Sequence, residues 1–212
     1  MKIAFTGHRP KSIKAYDTIE NKQVSCGYSH DNYAEFVCKL SEYLASMYNG
    51  ENITFISGGA QGFDQLAFWA VDMMRNNLPE KDRDKIHNEV YVPFVGQDAL
   101  WAENGLFGKK EYITMLKKAT HVKTMLPEKP DSQRVISALM SRNHAMVDAS
   151  DIVIALYDED NWFDPATKSG TAECMRYACA HGKTILQIKY TIEGYVLKFN
   201  ETSVIRHAPV TE

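Results

Sequence analysis

The sequence has few of the residues and patterns that build metal, disulfide or membrane proteins. Cysteine occurs four times, at Cys26, Cys38, Cys174 and Cys179, and no two form a C-x-x-C pair. That spacing excludes a zinc finger or a dithiol redox motif and leaves buried, reduced thiols as the plain expectation. The seven histidines form no H-E-x-x-H or H-x-H pattern, so no metal site and no cofactor are expected. No apolar run approaches the roughly 20 residues of a transmembrane helix, which argues against a membrane partner. The opening Met1-Lys2-Ile3-Ala4-Phe5-Thr6-Gly7 is too short an apolar stretch for a signal peptide. A cytosolic location is the resulting expectation. Cationic excess is missing too. The formal net charge is −3, with no run of lysine and arginine to suit a nucleic-acid backbone, so a nucleic-acid partner is not expected. Self-association into a homo-oligomer stays open.

What is present is ordinary globular composition, 44% hydrophobic and 24% charged over 212 residues, enough for one sizeable core. The pattern alternates short apolar strands with helical stretches. Strands are expected at Lys2–Thr6, Ile53–Ile56, Glu89–Pro93, His121–Met125, Ile152–Leu156 and Thr184–Ile188. Helices are expected from an N-cap at Asp31 to about Tyr48, then over Phe63–Asn76, Glu111–Ala119, Ser132–Ala149 and from Ser169 or Thr171 to Ala180. Residues 11–30 and 94–109 read as long loops that could cover a site, and 77–88 as a solvated stretch. All-apolar strands separated by helices predict an α/β fold, a mostly parallel sheet with helices on both faces. Residues 1–190 form the single domain in this reading, and 191–212 a partly ordered tail.

In such sheets ligands bind beyond the carboxyl ends of the strands, which makes the residues just after each strand informative. Four segments stand out. Gly7-His8-Arg9-Pro10 puts an arginine on a proline-stiffened turn, suited to clamping a phosphate or to a solvated surface role. Ser57-Gly58-Gly59-Ala60-Gln61-Gly62 precedes a helix, where glycines let an anion approach the backbone and the helix start offers free N–H groups. It is neither G-x-G-x-x-G nor a P-loop. Arg142-Asn143 lies on a long helix, with Arg142 near its apolar stripe. Ser169-Gly170-Thr171 opens the last helix as a second anion cradle. Asp64 and Glu173 sit in the first turns of their helices. Each could serve a ligand or simply favour the helix dipole. Trp101 and Trp162 lie in loops where a base could stack, whereas Trp69 reads as core.

In order and spacing these blocks resemble the SLOG superfamily, a Rossmann-like group that includes the YpsA-like proteins, the DprA/Smf DNA-processing proteins and the Lonely Guy phosphoribohydrolases. The YpsA-like branch is the most similar: Thr6-Gly7-His8-Arg9-Pro10, Ile56-Ser57-Gly58-Gly59-Ala60-Gln61-Gly62-Phe63-Asp64, Arg142-Asn143 and Ser169-Gly170-Thr171 follow its pattern. The resemblance implies a Rossmann-like fold and a nucleotide-derived ligand, of the ADP-ribose or nucleoside phosphate type. The Lonely Guy enzymes carry M-x-x-R-K and then P-G-G-x-G-T-x-x-E. Here Leu139 stands for the methionine, Asn143 for the lysine, and Cys174 for the glutamate, with Glu173 one position early. A slip of one residue turns a side chain by about 100° around a helix. A thiol cannot replace a carboxylate that activates water. The reading is therefore a nucleotide-binding sensor or regulatory protein with Gly7, His8, Arg9, Ser57, Gly58, Gly59, Gln61, Gly62, Arg142, Asn143, Ser169, Gly170 and Thr171 on the ligand. The alternative is an N-glycosidic hydrolase using Glu173 or Asp64. A DprA-like single-stranded DNA binder comes third.

Overall fold

The computed structural model describes residues 1–10, 14–17, 22–25, 30–157, 160–193 and 196–205. Its elements, in chain order, are β1 (Lys2–Gly7), β2 (Lys14–Asp17), β3 (Lys22–Ser25), α1 (His30–Ser46), β4 (Ile53–Ser57), α2 (Phe63–Asn77), α3 (Glu80–Arg83), β5 (Ile86–Phe94), α4 (Lys109–Lys118), β6 (His121–Leu126), α5 (Val135–Asp148), β7 (Ile152–Leu156), α6 (Gly170–Ala180), β8 (Thr184–Glu193) and β9 (Val196–Ile205). Seven strands form one sheet in the order β6-β5-β4-β1-β7-β8-β9. The first six are parallel and β9 closes the edge antiparallel to β8. This is the expected α/β, Rossmann-like architecture.

Alternation along the strands decides which helix covers which face. Ile3 and Phe5 of β1, with Ile154 and Leu156 of β7, join α1 and α2 in one core cluster. Ala4, Val153 and Ala155, one residue out of phase, join α5 and α6 in the other. A third cluster sets Val90 and Val92 of β5 against Phe68 of α2 and Met115 of α4. Phe63, the first residue of α2, is fully buried and meets the rings of Phe5 and Phe36 edge-on, both at 6.1 Å. Its N–H donates to the His8 carbonyl at 3.2 Å, tying the turn after β4 to the turn after β1.

Several expectations change. Residues 11–30 hold a small antiparallel pair, β2 with β3, rather than only irregular chain. Helix α1 begins at His30, so Asp31 lies in its first turn instead of capping it. The stretch 77–88 is not simply solvated: Ile86 and Asn88 are buried, and the Asn88 amide donates to the Phe68 carbonyl at 3.0 Å. The last parallel strand runs past Ile188 to Glu193 and returns as β9, so the boundary drawn at residue 190 falls inside β8. Residues 206–212 lie outside the described residues. Trp69 is partly buried between the first and third clusters. No helix among the described residues is long and apolar enough to cross a membrane.

Phe63 serves both the core and the geometry of the loops above it. Phe63→Ala is expected to cost about 3–5 kcal/mol of unfolding free energy, the usual penalty for emptying a buried aromatic site. A urea melt followed by circular dichroism checks this.

Candidate functional site

The sheet reverses direction of growth at β1: the chain builds toward β4, β5 and β6 on one side, and toward β7 and β8 on the other. The crevice beyond the ends of β1 and β7 is therefore the topological switch point, where α/β sheets receive ligands. A cavity of about 760 Å³ lies there. Its walls come from Thr6, Gly7, His8 and Arg9 after β1, Ala60 and Asp64 at the start of α2, Arg142 and Asn143 of α5, and Thr167 to Thr171 at the start of α6. Both expected helix starts thus face one cleft.

They do not serve it equally. The carboxylate of Asp64 turns back into the glycine loop, so close that a Cβ at Gly58 would lie 2.6 Å from its Oδ2, and the backbone of Ala60 and Gly58 favours its charged form. The carboxylate also takes Nη1 of Arg142 at 3.3 Å, and the two side chains are only 11% and 5% exposed. Burial raises the Asp64 pKa, opposed by the Arg142 charge, that backbone and Arg9. The anion cradle of this loop is thereby occupied by the protein's own carboxylate. Gly58 makes that possible, because a Cβ there would lie 1.2 Å from Arg142 Nη1. Gly62, at φ +99°, turns the chain into α2 so close to β1 that a Cβ would sit 2.5 Å from the His8 carbonyl oxygen.

The start of α6 is open. Ser169 caps the helix, its hydroxyl accepting from Ala172 N–H at 3.4 Å. The N–H groups of Gly170 and Thr171 meet no acceptor among the described residues. A Cβ at Gly170 would find no atom within 4 Å. Arg9 and Lys168, which both line the cleft, make no hydrogen bond or ion pair among the described residues. With Asp64 matched by Arg142, Arg9 and Lys168 leave the described lining residues with a positive balance on a chain of net charge −3. The His8 ring lies against that of Tyr157, centroids 4.8 Å apart, and Asn143 adds a cleft-facing amide.

Other expected site residues lie outside the cleft walls. Gln61 donates from Nε2 to the Phe107 carbonyl at 2.8 Å, pinning the 94–109 loop. Ser57, Gly58, Gly59 and Gly62 shape the turn, and the buried Ser57 hydroxyl has no partner among the described residues. Glu173 points away, its Oε1 bonded to His144 Nε2 at 3.0 Å. His144 in turn stacks on Tyr177 at 3.8 Å. At Cys174, burial pushes the thiol pKa up to about 12, leaving a neutral core residue. Trp162 is buried in the second core cluster and does not reach the cleft. Sequence reasoning missed Arg176, whose guanidinium donates to the carbonyls of Trp162 at 2.6 Å, Asp164 at 3.1 Å and Thr167 at 3.4 Å. That clamp holds the loop presenting Thr167 and Lys168. A polar residue in mid-helix carries no signal of this role.

The Asp64–Arg142 pair should behave as a support. Asp64→Ala strands a buried guanidinium and is expected to cost about 3–5 kcal/mol, whereas joint replacement by Asp64→Leu and Arg142→Met recovers most of that loss. Chemical denaturation of the two variants beside the wild-type chain distinguishes this from a purely catalytic role, which would leave stability unchanged.

Among known proteins, the chain is 28% identical over 145 residues to the uncharacterized SPbeta prophage-derived protein YoqJ of Bacillus subtilis (strain 168), covering 66% of this chain and 78% of that one. DNA processing protein A from Streptococcus pneumoniae shares the fold with a TM-score of 0.50 at 13% identity, over 92% of this chain and 52% of that one. The DNA processing protein A of Helicobacter pylori, solved for its single-stranded DNA binding mode, gives 0.47 at 16%, over 88% and 64%. The chain therefore spans less than two thirds of either of these structures. Residues 3–192 match the YspA SLOG family (YpsA), and the chain belongs to that family.

Proposed function

We propose that this is a cytosolic protein that binds a nucleotide-type phosphate ligand in the switch-point cleft and acts as a sensor or regulator. The observation that carries this reading is the open start of α6: N–H groups at Gly170 and Thr171 without an acceptor among the described residues, in one cavity with Arg9 and Lys168, which make no ion pair among them. Helix-start N–H groups together with a guanidinium suit a phosphate better than any uncharged group. Gly7, His8, Arg142 and Asn143 complete the walls. Family membership and the Rossmann-like fold are in keeping with a nucleotide. The free thiols of Cys38, Cys174 and Cys179 suit a reducing compartment.

Two features weigh against turnover. The carboxylates proposed for chemistry are both engaged, Asp64 by Arg142 and Glu173 by His144. Neither is left free in the cleft to activate water, which N-glycosidic cleavage requires.

Calorimetry with ADP-ribose, ADP and nucleoside monophosphates is expected to find affinity on the order of micromolar for at least one, with the ligand recovered intact after prolonged incubation. Arg9→Ala is expected to weaken binding about ten- to a hundred-fold, as loss of a hydrogen bond to a charged group does. Glu173→Gln should leave affinity unchanged. Absence of binding by all of them, or release of free base, contradicts the reading.

A further inference from the structure

A second cavity, of about 540 Å³, adjoins the cleft and shares Arg9, Ala60 and Leu139 with it. It lies above the ends of β5 and β6, and its character differs. The cleft walls are rich in polar groups, among them Thr6, His8, Asn143 and Lys168. The second cavity is walled by Phe94, Ala99, Leu100, Trp101, Val135 and Leu139. Leu100 stands 89% exposed at its mouth, an uncovered apolar side chain beside a partly buried indole.

This chamber is built in advance. Trp101 stands edge-on to Tyr112, centroids 5.1 Å apart at 68°. Tyr112 is buried, and its hydroxyl takes the Gln97 amide at 2.6 Å. Backbone bonds close the loop on itself, Trp101 N–H to the Asp98 carbonyl and Lys109 N–H to the Ala102 carbonyl, both at 2.9 Å. Gln61 fastens the same loop to the glycine turn at the cleft. An aromatic platform held this firmly loses little entropy when a flat ring settles on it.

Two adjoining chambers, one more apolar than the other, joined at an arginine that makes no ion pair among the described residues, suit a ligand with two unlike ends. We infer that the second chamber is the ring subsite: it takes the planar base of a nucleoside diphosphate-type ligand against Trp101, while the phosphates cross Arg9 to the start of α6. This rests on the proposed anion site and adds where the base goes. Lys129, which also lines the second chamber and makes no hydrogen bond or ion pair among the described residues, adds positive charge on that side.

The test compares a ligand with the ring and one without it, ADP and inorganic pyrophosphate, by calorimetry on the full chain. Trp101→Ala removes the platform and Ala99→Trp fills the chamber. Each is expected to weaken ADP about ten-fold or more, the scale of lost base–aromatic stacking, and to leave pyrophosphate affinity unchanged. Quenching of tryptophan fluorescence by ADP should vanish in Trp101→Phe if that indole is the one the base covers. Because Trp101→Ala could loosen the loop, Ala99→Trp, which deletes no contact, serves as the independent variant, and thermal melts confirm that both fold. If ADP and pyrophosphate weaken together, or neither changes, the ring lies elsewhere and the inference is overturned while the anion site stands. If the wild-type chain binds neither ligand, the anion site itself falls, and the ring subsite with it.

Discussion

The buried pair of Asp64 and Arg142 organises the switch-point end of this fold. One partner comes from the first turn of α2 and the other from the middle of α5, helices on opposite faces of the sheet. The two meet over Gly58, the one residue type whose missing side chain leaves room for the guanidinium. Two buried charges gain little net stability over apolar groups of similar shape, but separating them is costly. The pair therefore acts less as a source of stability than as a constraint. It fixes α5 relative to the glycine turn, and so sets the width of the cleft between Asn143 and the start of α6.

That constraint divides the labour between two helix starts that look alike on paper. The start of α2 is satisfied internally, by Asp64 and by the bond from Phe63 N–H to the His8 carbonyl. At the start of α6 the N–H groups of Gly170 and Thr171 meet no acceptor among the described residues. An anion entering the cleft meets one vacant cradle rather than two, with Arg9 and Lys168 beside it and Arg142 already neutralised.

The position of Cys174, where the Lonely Guy pattern carries glutamate, has a physical reading here. Position 174 faces the core, where a thiol is at ease and a carboxylate would not be. Position 173, about 100° around the helix, faces α5 and finds His144. Both acidic groups at the two helix starts are committed to partners on α5, Asp64 to Arg142 and Glu173 to His144.

Much of the fold was legible in the residues. Ile152–Leu156 reads as a buried strand and is one, and the alternation that puts Phe5 and Ala4 on opposite faces follows from the two-residue period alone. The site segments were legible as well, because turn chemistry is local: Gly-Gly before a helix, Ser-Gly-Thr at the next. The hairpin β2–β3 and the β8–β9 return were not, since polar, mixed segments pair for reasons outside their own pattern. In sequence Trp162 reads as a loop aromatic near the cleft, yet the indole packs into the second core cluster and Arg176 clamps its carbonyl. Sequence by itself determined which residues could bind an anion, because that capacity belongs to local backbone geometry and side-chain charge. Only the tertiary structure decided which of them are free to do so. The partners that occupy Asp64, Gln61 and Glu173 come from segments 29 to 78 residues away along the chain, and no local pattern records who arrives at that distance.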